Sequence, residues 1–257
     1  MTGHPQAWFA MENAKRRLVY TLHALRLPTR SKDEDAERGL AFEFLADAPG
    51  QPVLTGHDGG VIVVNVAEAD DAERERRRVD MREPYRTLLG HFRHESGHYY
   101  WDELVKDRPP LAGFRKLFGD ERQDYAAALR RNYEDGPAAD WQDRHVSSYA
   151  SVHPWENWAE TWAHYLHMVD VLEVAADCGL SIRPRRAVDP KLKEVPDPLA
   201  EANPFDRLIA GWHPLTYVLN NLNRGMGLAD GYPFVLSVPA VEKLRFVHET
   251  IAAGRGP

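Results

Sequence analysis

The stretch Leu88-Leu-Gly-His-Phe-Arg-His-Glu-Ser-Gly-His-Tyr-Tyr-Trp-Asp102 decides how the rest of the chain is read, because His94-Glu95-Ser-Gly-His98 within it fits H-E-x-x-H. On an α-helix, residues four apart lie one turn up on the same face, so His94 and His98 can aim two imidazoles at one ion. Glu95 is then placed not to bind the metal but to take a proton from a water whose pKa zinc lowers toward roughly 7. Pro84 suits a first helical turn, Leu88, Leu89, Phe92, Tyr99 and Leu104 supply apolar positions, and Pro109-Pro110 ends the run. The bare motif leaves two readings open, a metal site and a helix carrying two ordinary histidines. His91 falls on the same face, but seven residues from His98 is about 10.5 Å along the axis. That is too far to share an ion at a Zn–N distance of about 2.0 Å, so His91 reads as a core or cleft-wall histidine.

With 257 residues the chain can bury a substantial core, as one domain or two closely packed lobes. The formal net charge of -7 argues against nucleic acid as the main partner, since phosphate binding needs a positive field. No apolar run approaches the roughly 18 to 20 residues that span a bilayer, and the N-terminus lacks a basic-then-apolar leader. The expectation is a cytoplasmic protein with no membrane partner. Cys178 is the only cysteine, which excludes an internal disulfide or a Cys-rich zinc site in this chain. It reads as a small buried hydrophobe.

From about Gln6 to Arg26, Trp8, Met11, Leu18, Val19, Leu22 and Leu25 recur at helical spacing, and Pro28 stops the pattern. Leu40–Leu45 alternates like a half-buried strand, and Val53–Thr55 and Val61–Val66 are further strands around the turn-rich His57-Asp-Gly-Gly60. Together they suggest a small antiparallel sheet. Residues 61–66 are its candidate edge for pairing with an extended substrate, or the sheet only covers the core. The run Glu68–Arg78 is acidic then basic, which as a helix complements the macrodipole and gives a solvated surface. Helices are expected over 114–119 and 121–133, the second amphipathic through Tyr125, Ala128 and Leu129, with Gly136-Pro137 breaking the chain.

An H-E-x-x-H zinc site needs a third protein ligand, with one position left for water and substrate. Pro154 can start a helix in which Glu156, Glu160, Ala163 and His167 share one face, while Trp155, Trp158, Trp162, Tyr165, Leu166 and Val169 fall on the other. Carboxylates flanked by so many aromatics are costly unless paired or metal-bound.

His91-Phe-Arg-His-Glu-Ser-Gly-His-Tyr-Tyr-Trp-Asp102 together with His153-Pro-Trp-Glu-Asn-Trp-Ala-Glu-Thr-Trp-Ala-His-Tyr-Leu-His167 resembles the bacterial putative zinc-binding metallopeptidase family. Arg16-Arg-Leu-Val-Tyr-Thr-Leu22, Thr55-Gly-His57 and Glu83-Pro-Tyr-Arg-Thr-Leu-Leu-Gly90 add to the match, which spans most of residues 8 to 180. The resemblance implies a gluzincin-like site. A more distant similarity to lethal-factor-type gluzincins implies Glu156 as third ligand, Glu160 as the carboxylate behind a ligand histidine, and Tyr149 as donor to the oxyanion. Exchanged roles for the two glutamates, and a structural Tyr149, remain alternatives. Family members usually carry an N-terminal Cys-rich zinc ribbon. This sequence has no cysteine before Cys178, so the ribbon was lost or lies outside it.

Ser181 to Ala202 is Pro-rich and charged, reading as a long loop. Asn203-Pro-Phe-Asp206 reads as N-cap, Pro at N1 and an acid in the first turn of a helix to about Asn221. Ser237 and Pro239 precede a last helix. The cluster Asn220–Arg224 is either surface or within reach of a substrate.

The sequence thus predicts a mainly helical α+β, zincin-like metallopeptidase with a small antiparallel sheet over the H-E-x-x-H helix and a C-terminal helical lobe. Residues 1–180 would form the catalytic core and 181–257 the loop and helices packed on it as one unit. One catalytic Zn2+ would sit on His94, His98 and Glu156, with Glu95 as general base acting on a peptide or protein substrate. Two alternatives share the site: hydrolysis of a non-peptide amide, and a non-catalytic zinc-binding scaffold. The oligomeric state is not encoded in any of these features.

Overall fold

Thr87 starts the helix that carries H-E-x-x-H: its extended backbone and Oγ1, which accepts from Gly90 N at 3.0 Å, form an N-cap. In the computed structural model, which describes residues 5–80, 85–200 and 204–255, this helix is α3 (Leu88–Leu104). Pro84, the expected start, lies outside the described residues. The helix ends before Pro109-Pro110, because Val105 is already the C-cap and Asp107 takes a positive φ of 54°.

The other elements are α1 (Pro5–Ala24), β1 (Ala41–Leu45), β2 (Gly56–Asp58), β3 (Val61–Asn65), α2 (Asp71–Asp80), α4 (Leu111–Phe118), α5 (Tyr125–Asp135), α6 (Trp141–Arg144), α7 (Pro154–Asp177), α8 (Phe205–Gly225) and α9 (Val238–Gly254). Short 3-10 turns occupy Val66–Ala69 and Tyr149–Ser151. The class is α+β and mainly helical. Among the described residues no helix is long and apolar enough to cross a membrane.

The sheet corrects two expectations. Its order is β1-β3-β2, with β1 parallel and β2 antiparallel to β3, so it is mixed rather than antiparallel. Val61–Asn65 is therefore central and cannot be the edge that pairs with substrate. The reason is hydrophobic: Ile62 and Val64 are fully buried, and the most apolar strand is the one a sheet takes into its middle. Gly59 and Gly60, both with positive φ, make the β2–β3 turn. The third strand is 56–58, not 53–55. Around 53–55, side chains replace the ladder: Asn65 Nδ2 donates to Val53 O at 2.9 Å, and Thr55 Oγ1 accepts from Asn65 N at 3.1 Å.

Two further readings give way. Glu68 is not part of a solvated helix but is buried in a 3-10 turn, where Arg77 and Arg86 donate to its Oε1 at 2.8 and 2.9 Å. The i,i+3 and i,i+4 pairs expected of this run lie on α2, which follows. Cys178 is exposed, since it follows the last residue of α7 where the chain turns at Gly179.

The chain divides into two compact units, Met1–His164 with Leu236–Pro257, and Tyr165–Val235. In the first, α3 and α7 cross in close contact. A Cβ on Gly97 would lie 2.9 Å from Ala159 Cα and 3.2 Å from Trp162 Cβ, so only glycine fits. Trp158 Nε1 donates to Gly97 O at 2.8 Å and Trp162 Nε1 to Ser96 Oγ at 3.1 Å, fixing the register of the crossing. From α9, Phe246 packs edge-on against Trp158.

In the second unit, His167, Trp212 and Tyr232 form an aromatic cluster. The polar run after residue 219 closes a loop rather than reaching for a ligand: Asn220 pairs with both backbone atoms of Tyr232, and Arg224 with Asp230. The expected Asn203 N-cap lies outside the described residues, and α8 extends to Gly225.

Candidate metal centre

Helical spacing brings the His94 and His98 Nε2 atoms to 3.2 Å of each other, the two rings nearly perpendicular. Glu156, in the first turn of α7, enters from the crossing helix. Its Oε2 lies 3.1 Å from His94 Nε2 and its Oε1 3.7 Å from His98 Nε2. One ligand atom from each of the three residues falls within 4.8 Å of the others. Glu156 is almost fully buried, so its charge needs a partner.

His94 Nδ1 lies 2.6 Å from Glu160 Oε1. A carboxylate there holds the proton on Nδ1 and turns the Nε2 lone pair toward His98 and Glu156. Ser147 Oγ donates to Glu160 Oε2 at 2.5 Å and accepts from Ala150 N at 3.2 Å, so Glu160 is itself held in place.

Electron-rich atoms this close repel unless a cation lies among them. Without a metal the cation is a proton. Burial opposes a charged His94, but Glu156 and Glu160 on its two nitrogens outweigh it and hold it well above the usual histidine range. Burial likewise opposes a charged Glu156, and His98 and His94 hold it well below the usual carboxylate range. Two imidazole nitrogens and one carboxylate oxygen are also the donor set that suits zinc. Glu156 Oε2 and His98 Nδ1 have no hydrogen-bond partner among the described residues, and a cation between the ligands would answer the first.

Glu95 is buried beside the ligands. Burial pushes its carboxyl up, with His94 and His98 pulling the other way. Tyr149, in its 3-10 turn, sets its ring 6.0 Å from that of His94. Burial first, then Glu156 and Tyr125, raise its hydroxyl well above the usual phenol range. His91 stands apart from the ligands, with Nε2 3.3 Å from Glu68 Oε2, and burial lowers its pKa to about 4.

Three neighbours escape sequence reasoning. Tyr125, read as an apolar position of α5, donates its hydroxyl to Glu156 Oε1 at 2.7 Å. Ser147 carries no spacing that links it to Glu160. Trp155, assigned to the aromatic far face of α7, instead lies against His98 with ring centroids 4.1 Å apart. Its place next to Glu156 in the first helical turn is the signal that was there to be read.

Two imidazoles one turn apart and a carboxylate from a crossing helix form a group of the two-histidine, one-glutamate class that could hold a metal ion. The chain belongs to the family described as "Putative zinc-binding metallo-peptidase", which it matches over residues 4–250. It is similar to uncharacterized proteins of Mycobacterium tuberculosis and Mycobacterium bovis, at 48% identity over 241 residues, covering 93% of this chain and 68% of each relative. No solved structure matches it.

Proposed function

We propose that this protein is a zinc metallopeptidase of zincin-like fold that holds one zinc on His94, His98 and Glu156 and hydrolyses peptide bonds. The observation that carries this reading is the convergence of those three donors within 4.8 Å beside a buried Glu95 whose carboxyl is pushed up. Zinc, when bound there, supplies a Lewis acid that lowers the pKa of water and polarises a carbonyl.

The remaining work falls to side chains. Glu95 takes the proton of the attacking water and delivers it to the leaving amine, a role suited to a carboxyl with a raised pKa. Tyr149 donates a hydrogen bond to the carbonyl oxygen as negative charge grows on it. Glu160, held by Ser147, fixes the tautomer and the direction of His94. An extended substrate needs a free strand edge, and the edges of this sheet are β1 and β2. Of these, β2 carries His57 against Tyr99 of the metal helix, ring centroids 5.9 Å apart, and is the edge we assign to the substrate.

The test is incubation of the zinc-loaded protein with a diverse peptide mixture, cleavage products being read by mass spectrometry beside Glu95→Gln. Products made only by the unmodified protein support the reading. Cleavage by both proteins refutes Glu95 as base, and cleavage by neither refutes a general peptidase.

A further inference from the structure

Glu156 has two oxygens, and the protein treats them differently. Oε1 accepts a hydrogen bond from the Tyr125 hydroxyl at 2.7 Å and lies 3.7 Å from the nearer His98 nitrogen. Oε2 lies 3.1 Å from His94 Nε2 and has no hydrogen-bond partner among the described residues. Each oxygen faces one of the two histidines, but Oε1 is also engaged by a hydroxyl from outside the ligand set and Oε2 is not.

Tyr125 is held where it can do this. It is the first residue of α5, whose start is fixed by the Asp124 side chain accepting from Ala127 N at 2.9 Å. Its ring packs edge-on against His153. His153 in turn bridges two segments: Nδ1 accepts from Trp155 N at 3.1 Å, so Nε2 carries the proton that reaches Gln123 O at 3.2 Å. The bridge ties the residues just before Tyr125 to the first turn of α7, the turn that carries Glu156.

We infer that Tyr125 is a positioning residue that holds Glu156 to one-oxygen coordination, by engaging Oε1 so that Oε2 alone is offered to the metal. A carboxylate that bound through both oxygens would fill a coordination position that a hydrolytic site keeps open for water and substrate. The hydroxyl sits in the ligand's shell of hydrogen bonds and touches neither substrate nor metal in this role. The inference rests on the metal reading of the site.

The experiment uses the full chain loaded with Co2+, whose visible absorption is sensitive to coordination number, and compares the unmodified protein with Tyr125→Phe and Tyr125→Met. Phe keeps the ring contacts and Met fills the space without a hydroxyl, and far-ultraviolet circular dichroism checks that each variant folds. The expected result is a four-coordinate spectrum for the unmodified protein and a weaker, higher-coordinate one for both variants, with metal still bound. In the zinc forms kcat should fall about 10- to 100-fold with KM little changed. Identical spectra in folded variants would overturn the inference and leave the metal site standing. An unmodified protein that takes up no Co2+ or Zn2+ would overturn the metal reading itself.

Discussion

Glu95 and Glu156 are buried carboxyls beside the same two imidazoles, yet their surroundings push them apart: burial drives Glu95 up, while His98 and His94 hold Glu156 down. Such a split is what separates a proton carrier from a permanent anion. Glu95→Gln should therefore keep one zinc per chain by elemental analysis and lose turnover by about 100- to 10,000-fold. Glu156→Gln should fail to hold zinc through dialysis. One step further out, Glu160→Ala and Ser147→Ala should weaken zinc about 10- to 100-fold and somewhat less, respectively, in a chelator competition. A proton occupies the site when metal does not, because His94 is held well above its ordinary 6.5. Zinc binding at pH 7 should thus release about one proton, measurable by calorimetry in buffers of different ionisation enthalpy. The proposed ligands could be picked out in the sequence, His94 and His98 from their helical spacing and Glu156 from the family resemblance, and the fold brings the three together. The hydroxyls of Tyr125 and Ser147 could not, since a tyrosine on an amphipathic helix and a serine in a turn look the same whether or not a carboxylate waits opposite.

At the scale of elements, the two unassigned letters of H-E-x-x-H prove to be packing residues. Ser96 receives Trp162 Nε1, and Gly97 gives α7 room to pass. Gly97→Ala would set a methyl against Ala159 Cα, a backbone atom that cannot rotate away. It should cost about 1–3 kcal/mol in a denaturant titration and lower zinc affinity as well, because His94 and Glu156 stand on the two helices being separated. A stability loss with unchanged zinc affinity would show that the crossing and the site are independent. Helix positions were readable from period and flanking residues, as with Ser237 before α9, although the cap of α3 at Thr87 went unread behind Pro84. Sheet topology was not. Alternation marks a segment as a strand, but which neighbour it takes, and in which direction, depends on what is buried: here Ile62 and Val64 claim the centre and leave His57 and Asp58 to an edge.

Over the whole molecule, every proposed site residue lies in the first unit, although His94 and Glu156 are far apart in sequence. A ligand that binds only the folded chain stabilises it by mass action, by about 4 kcal/mol at a thousandfold excess over Kd. Chelation should lower the melting temperature while leaving the far-ultraviolet signal of α3 and α7 in place, and added zinc should restore it. The overall class was legible because long periodic helices dominate the chain. Within the first unit, α9 returns from the C-terminus to make contacts such as Phe246 on Trp158. The ring of Trp155 against His98 has a consequence of another kind. An indole excited in the near ultraviolet loses its emission to a nearby cobalt ion by energy transfer. The site therefore carries its own lamp, and filling or emptying it should be visible as a change in brightness without any label attached.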